Sequence, residues 1–437
     1  MIRIRALIPV VGLALLPGCS TVNQYSAAAV SSVSPANAQL AHRIDSYFAP
    51  LTKTGDISGT LRVERGGAPV LVRYFGHADW NRRRPHGEQT LYSAASVTKG
   101  ITAATLVSLA RDGIVSLDDP VGRWLPALDG YPGMTLRAVL RHRTGLPRDL
   151  PDNFVSSQGV GNWLAKHPDQ IEAAGEERYS NVGYALLAEV IAAAADAPFA
   201  QVAEQRVLRP AGMTDSMIGI QMAEGYLGGA LPYAAGPAPL NVMTPVLANL
   251  EVGSSGLITT AADLGKWART LADGAYPELF VGDDPLGSID VGSDGNGEYV
   301  EVQGSLPGYV ANAIAWRGRD LTISFTGNLF SYPALKLDDA LRGLLSDDPP
   351  PAPELRPAAV PLNAGHLRLA GEHRHPDFGL IRIAHDPARG GMTLTMPDRP
   401  AYWSFHLTPI ADGAVHWRTF DLILSLDKSG GLASVKR

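Results

Sequence analysis

The chain has 437 residues, 45% of them hydrophobic and 18% charged, with a formal net charge of -6. That length exceeds what one hydrophobic core usually serves, so a large domain with a smaller companion is expected, and the composition excludes both a disordered chain and an integral membrane protein. The negative charge disfavours nucleic acid as a partner, because phosphate binding rests on basic surface, and the one dense basic cluster, Arg82, Arg83 and Arg84, reads as a solvated turn.

In chain order, Arg3 and Arg5 precede an apolar run from Ala6 to Leu16. A bilayer core needs about 20 helical residues, so this run is too short to cross one and fits a secretory leader over residues 1–18. It ends in LPGC at Cys19, the only cysteine of the chain, which rules out an intramolecular disulfide. The stretch resembles a bacterial lipoprotein signal, in which the cysteine is lipidated and becomes the mature N-terminus. That resemblance implies a membrane partner through an N-terminal lipid anchor, with the body of the protein in the periplasm or cell envelope. A competing cleavage after Ala38 lies too far beyond the apolar run. Residues 19–40, rich in Ser, Ala and Val, read as a tether.

Gly59 to Gly76 predicts two strands around the Gly66-Gly67 turn. Lys99 to Asp112 carries apolar residues at helical spacing and stops at Gly113, and Val182 to Ala195 predicts another helix. Tyr309 to Asn328 predicts a second hairpin, and Ala334 to Leu345 a closing helix. Helices between two separated sets of strands indicate an α+β domain with a mainly antiparallel sheet, placed at residues 41–346. The prolines of residues 347–361 fix φ and remove donors, giving a stiff linker. Residues 362–437 alternate as an all-β unit, with Phe420, Leu422, Leu424 and Leu426 on one strand face and Asp421, Ser425 and Asp427 mostly opposing them.

The chemistry concentrates in LYSAASVTKG, Leu91 to Gly100. Ser96 and Lys99 are three apart, which on a helix puts them on one face and lets the amine reach the hydroxyl. A serine at a helix start is also the ordinary helix cap, so spacing alone leaves both roles open. A lysine base needs help, since at its free pKa of about 10.4 only about one amine in a few thousand is neutral at pH 7. Desolvation, a nearby cation or a proton-sharing partner must intervene. Tyr179 and Asn181, in the YSN triplet, supply a phenol able to relay a proton and an amide able to orient a substrate; their alternative role is a turn and a helix cap.

Taken together, Ser-x-x-Lys, Tyr-Ser-Asn and the Gly-containing VQGSLPGY strand (Val302 to Tyr309) resemble the serine β-lactamase and penicillin-binding-protein superfamily. Within it the chain is most similar to the class C β-lactamase-related hydrolases, which include esterases, D-aminopeptidases and DD-carboxypeptidases. LRHRTGLP (Leu140 to Pro147), VLRPAGMTDS and GSSGLITTAADLGKWARTLADG (Gly253 to Gly274) extend the similarity beyond the reactive residues. The resemblance implies a β-lactamase/transpeptidase-like fold with a helical lobe, and Ser96 as acylated nucleophile, Lys99 as its base and Tyr179 as proton shuttle. It implies an oxyanion hole from the backbone N–H groups of Ser96 and Ser305, and substrate contacts from Asn181, Gln303 and Gly304. No Walker loop is present and no Gly-x-Gly-x-x-Gly follows a strand, so no nucleotide is expected, nor any other cofactor or metal. The C-terminal unit resembles the small β-barrel or lipocalin-like appendages that follow some of these hydrolases; capping the cleft, binding an envelope partner and stabilising the fold are its candidate roles.

The pattern departs from relatives at Val302, where Lys or His is usual, and at Gln303, where Thr or Ser is usual. A substrate carboxylate would then lack its partner, which favours neutral esters or amides, and a lysine restored at 302 is expected to improve binding of carboxylate substrates. Arg317 and Arg319 are the candidate replacements. His142 reads as a hydrogen-bonded turn residue, and His366, His373 and His375 as surface histidines whose spacing matches no zinc pattern. The sequence therefore predicts an enzyme taking a small-molecule or peptide ester or amide. A DD-carboxypeptidase or β-lactamase and a non-catalytic binding protein are the competing readings.

Overall fold

The computed structural model describes residues 35–151, 154–219, 229–236, 252–281, 285–387, 391–399 and 403–436. Cys19 and the proposed leader lie outside the described residues. Helix α1 (Pro35–Thr54) precedes the hairpin of β1 (Gly59–Arg65) and β2 (Ala68–Phe75), whose turn glycines, Gly66 and Gly67, have φ of 58° and 73°. β3 (Tyr92–Ser93) leads into α2 (Val97–Arg111), and a helical lobe follows: α3 (Leu136–Leu140), α4 (Val160–Lys166), α5 (Asn181–Ala195) and α6 (Phe199–Ala203). Short strands β4 (Met217–Ile218), β5 (Tyr233–Ala234) and β6 (Leu257–Thr259) return the chain to α7 (Ala261–Ala272). Then come β7 (Ile289–Asp294), β8 (Gly297–Leu306), β9 (Tyr309–Trp316), β10 (Leu321–Gly327) and β11 (Leu329–Phe330), and the helices α8 (Tyr332–Leu335) and α9 (Leu337–Leu344).

Strands from opposite ends of this domain form one antiparallel sheet in the order β2-β1-β10-β9-β8-β7. Every residue of β9 and β10 is buried, because helices cover both faces. The two faces of β9 are built differently. Ala311, Ala313 and Ala315 join the core under α2 and α7, where small side chains let helices approach, while Val310, Ile314 and Trp316 join the core under α1 and α9. Asn312 lies on the α9 side, opposite Gln303.

Helix α1 begins at Pro35, within the stretch read as tether, because Leu40, Ile44, Phe48 and Leu51 recur at helical spacing and all are buried. The closing helix is two helices broken at Lys336; Ser331 caps the first, accepting from the Ala334 N–H. Residues 347–361 carry no regular structure. They are strapped down nonetheless, Arg356 pairing with Asp421 and the Val360 N–H donating to the Pro409 carbonyl.

A short helix α10 (Ala364–Leu367) opens the C-terminal unit, a seven-stranded meander of β12 (Gly371–His375), β13 (Gly379–Asp386), β14 (Gly391–Thr395), β15 (Ser404–Pro409), β16 (Val415–Trp417), β17 (Leu422–Leu426) and β18 (Leu432–Lys436). It curls until β12 and β18 touch. Its core side chains, among them Ile383, Leu394, Phe405 and Trp417, merge with the α1 side of the large domain in a single apolar cluster. Phe420 leaves the expected strand face because Asp421 takes a φ of 56° and turns the chain before β17 starts. Two histidines expected at the surface are buried. His366 accepts the Asn363 N–H at Nδ1 and donates from Nε2 to the Ile410 carbonyl, and His375 accepts the Asp377 N–H. Capping and turn formation, rather than solvation, place them.

Candidate active site

Ser96 stands at the N-cap of α2, yet its side chain makes no capping hydrogen bond. Its Oγ lies 2.7 Å from the Tyr179 hydroxyl and 3.1 Å from Lys99 Nζ. The residue before it, Ala95, is buried with a φ of 46°. A left-handed alanine is strained, and such strain persists where surrounding packing fixes a functional turn. The cap reading of Ser96 is thereby set aside.

Lys99, one turn into α2, is completely buried. Its Nζ donates to Ser96 Oγ, to Asn181 Oδ1 at 2.7 Å and to the Ser254 carbonyl at 3.0 Å, and lies 4.7 Å from the Tyr179 ring centre. Three partners suit an ammonium with three protons. They equally suit a neutral amine, which can keep its bonds to the two carbonyl oxygens and turn its lone pair to the serine hydroxyl. The Gly253–Gly256 segment, which lacks a nucleophile motif, thus supplies a backbone acceptor that holds the lysine.

Tyr179 and Asn181 flank Ser180, whose side chain caps α5 by accepting the Gly183 N–H. Burial raises the Tyr179 pKa, with its hydrogen bond to Ser96 and the charge of Arg148 working against the rise, so it is a phenol at neutral pH. His142 stacks on it at 4.8 Å and accepts the Ser180 N–H at Nδ1. Burial, with the charge of Lys99, pushes His142 down to about 4. It is a neutral positioning ring, as its turn reading implied. The amide of Asn181 is engaged at both ends, receiving from Lys99 and donating to Asp149 at 2.6 Å. Contacting a substrate amide would require one of those bonds to open.

The β8 edge faces this group. A β-carbon on Gly304 would fall 2.3 Å from the Ala94 carbonyl and 2.7 Å from Ser96 N, so only glycine permits the approach. β8 and β9 join through the two-residue turn Pro307-Gly308, with Leu306 opposite Tyr309. Such a turn is closed by a hydrogen-bonded pair, and pairs alternate along the ladder, so the Ser305 N–H points away from β9. β7 pairs with β8 only as far as Val302, which gives the Ser305 edge to the cleft. Together these bring the Ser305 edge of β8 against Ser96, whose N–H is the other expected oxyanion donor.

The cleft has a volume of about 370 Å³ and is lined by Ser96, Tyr179, Gln303, Gly304 and Ser305 among others. Val302 does not reach it. That side chain is 1% exposed and belongs to the core under α2, so the expected gain from a lysine there lacks a geometric basis. Arg317 and Arg319 follow the far end of β9, beyond Trp316, and Arg317 rests on Phe280. They are remote from the cleft. Among the described residues, the cation that lines it is Arg148, 5.2 Å from the Tyr179 ring centre. Its only sequence signal is position, directly after LRHRTGLP. Ser288, Asp290, Asn312 and Asp338 also line the cleft and carry no motif.

A serine whose hydroxyl is shared by a buried lysine and a tyrosine, at the edge of an antiparallel sheet flanked by a helical lobe, defines a serine hydrolase of the β-lactamase and penicillin-binding-protein fold. The chain belongs to the Beta-lactamase family, whose model matches residues 44–342. It is 27% identical over 407 residues to Esterase EstB of Burkholderia gladioli, covering 83% of this chain and 95% of that protein. It is 26% identical over 241 residues to the D-alanyl-D-alanine-carboxypeptidase/endopeptidase AmpH of Escherichia coli (strain K12), covering 52% and 60%. With a penicillin-binding protein of Bacillus subtilis (strain 168) the identity is 29% over 191 residues, 40% of this chain and 41% of that protein. The chain thus spans less than two thirds of the last two.

Among solved structures, SurE aligns with a TM-score of 0.59 at 22% identity, covering 92% of this chain and 98% of that one. A class C β-lactamase aligns with a TM-score of 0.61 at 19% identity, covering 72% and 98%. At these identities the likeness speaks for the fold alone. The SurE match is too extensive to omit the C-terminal strands.

Proposed function

We propose that the chain cleaves an ester or amide by acyl transfer through Ser96, at the bacterial cell envelope, held to the membrane by a lipid on Cys19. The observation that carries the catalytic part is the convergence of Lys99 Nζ and the Tyr179 hydroxyl on Ser96 Oγ, at 3.1 and 2.7 Å. Neutral Lys99 takes the serine proton as Oγ attacks the carbonyl carbon. The resulting oxyanion is held by the N–H groups of Ser96 and Ser305; losing one such donor costs about 2.7–4 kcal/mol of barrier. Tyr179 passes its proton to the departing oxygen or nitrogen and regains one from the Lys99 ammonium, which restores the neutral amine; water, deprotonated through the same pair, then releases the acyl group and the proton returns to Ser96 Oγ.

Ester or amide substrates without a carboxylate at the β8 edge are favoured, since neither Val302 nor Gln303 supplies a cation. The match to an esterase over 95% of its length supports the ester arm. A second reading, a DD-carboxypeptidase or β-lactamase, has Arg148 in its favour, because that guanidinium lines the cleft.

A short-chain chromogenic ester and a chromogenic cephalosporin, each run beside Ser96→Ala, separate the readings. Ester turnover alone, abolished in Ser96→Ala, is the expected result; turnover of both supports the second reading. Turnover of neither, with no adduct on Ser96 after fluorophosphonate treatment, leaves a binding protein. For the anchor, radiolabelled palmitate is expected to enter the wild type and not Cys19→Ser; equal labelling would overturn it.

A further inference from the structure

We infer that the half of the cleft between the β8 edge and α9 selects a substrate group bearing an ammonium and rejects one bearing a carboxylate. This deepens the acyl-transfer reading and rests on it for the location of the reacting bond.

The side chains reaching this half are acceptors drawn from three elements: Asp290 of β7, Asn312 of β9 and Asp338 of α9. Gln303, the amide donor on the strand edge, is turned onto Asp290 at 2.9 Å and so is withdrawn from a bound anion. Asn312 is 4% exposed. Its Nδ2 donates to Glu301 Oε1 at 2.7 Å, which fixes the amide orientation, and its Oδ1 has no donor among the described residues. Asn312 lines the cleft, and a buried carbonyl oxygen left without a donor is costly, so a ligand N–H that reaches it is bound favourably.

The start of α9 would ordinarily attract an anion through the helix dipole. Here its first turn carries the chain's own carboxylates, Asp338 and Asp339. Arg342 is the guanidinium bound to this group, and it is shared among Glu301, Asp339 and, at 3.9 Å, Asp338. Lys336 is exposed and does not line the cleft. The Ser288 and Ser305 hydroxyls can donate or accept and do not alter the sign of the field. Arg148 stands at the other side, stacked on Tyr179 and 3.4 Å from Asp149. Asp338 and Asp339 share the Arg342 guanidinium with Glu301, which burial holds up to about 7. Asp290 adds a carboxylate that meets only the uncharged Gln303 amide among the described residues, so the field is negative at the place where a substrate group emerges from the reacting carbonyl.

The test uses aryl esters matched in size, carrying an aminomethyl, a carboxamide or a carboxylate group, placed in one series on the acyl side and in the other on the leaving phenol. Dissociation constants are measured on full-length Ser96→Ala, which cannot be acylated, and kcat/KM on the wild type. In one of the two series the ammonium ester is expected to bind at least about tenfold more tightly than the carboxylate ester at low ionic strength, with the gap narrowing in high salt. Adding Asp290→Asn and Asp338→Asn should shrink the gap to less than about threefold, and Asp290→Lys should reverse it. Equal or tighter carboxylate binding in both series, or a gap unchanged by the two Asn substitutions, overturns the inference. A preserved ranking on Ser96→Ala with no hydrolysis by the wild type overturns the acyl-transfer reading instead and leaves the charge selection standing.

Discussion

Lys99→Met removes the proposed base while keeping most of its volume, so it tests the chemistry with little repacking. All three hydrogen-bond directions of Nζ are used, by Ser96 Oγ, Asn181 Oδ1 and the Ser254 carbonyl. Loss of a positioned general base costs about 10²–10⁴-fold in rate, or about 3–5 kcal/mol of barrier. The same substitution removes a donor from the buried Ser254 carbonyl, at about 1–3 kcal/mol, and from the half-buried Asn181 amide oxygen, which costs less, while relieving the chain of burying an amine. Activity should therefore collapse while folding is only weakened. Steady-state turnover of a neutral chromogenic ester, run beside thermal melts, reads both. A variant that melts like the wild type and turns over within about threefold of it would remove Lys99 from the mechanism.

Tyr179→Phe deletes the 2.7 Å bond to Ser96; kcat should fall by about 10²-fold or more with the melt little changed, measured on the same ester. Val302→Lys puts an ammonium at a core position that is 1% exposed; denaturant titration should show a loss of more than about 3 kcal/mol, with no gain in affinity for carboxylate substrates. Arg418→Met leaves the fully buried Asp56 without its principal partner; a loss of about 3–5 kcal/mol is expected, with faster hydrogen exchange in β16 and β17. His142 titrates near 6.5 when unfolded and at about 4 in the folded chain, so the unfolded state binds the extra proton between those values. Its contribution is complete above pH 6.5 and is lost as pH falls through about 4. The drop in melting temperature over that interval should be smaller in His142→Gln.

The residues legible in the sequence were those whose neighbours in the chain are also their neighbours in space. Ser96 and Lys99 share one helix turn, Tyr179 and Asn181 share one helix start, and Gly66 with Gly67 marks a tight hairpin. The second hairpin, β9 and β10, was equally local. What stayed hidden depends on register and on crossings. Nothing near Asp290, Asn312 or Asp338 distinguishes them from ordinary strand and helix residues until β7, β9 and α9 are set side by side. Likeness to relatives points Val302 at the cleft, whereas strand alternation sends its side chain into the core with that of Val300. Arg317 and Arg319 follow the end of β9 that points away from the cleft, a direction that their sequence positions do not reveal. The burial of His366 follows from a capping box whose members, Asn363 and His366, are visible in the sequence once the start of α10 is known.

The C-terminal sheet adds a mechanical link to this site. Among the described residues, none beyond Asp338 lines the cleft, which argues against a lid formed by the sheet itself. It instead supports a wall of the cleft. Ala334 and Leu335 of α8 and Leu337 of α9 form part of that wall. Immediately before them, the Tyr332 N–H donates to the Arg418 carbonyl, and Lys436 lies 5.5 Å from the Tyr332 ring centre. The Arg418 side chain is anchored in turn, donating to Asp56 and to the Thr54 carbonyl where α1 passes into β1. The meander therefore ties the short helix that shapes the cleft to the first strands of the main sheet. A helix of four residues has little stability of its own, so its position is set by these contacts. Loosening them should act on substrate fit before it acts on the Ser96, Lys99 and Tyr179 group, which is held by α2 and α5 on the other side of the sheet.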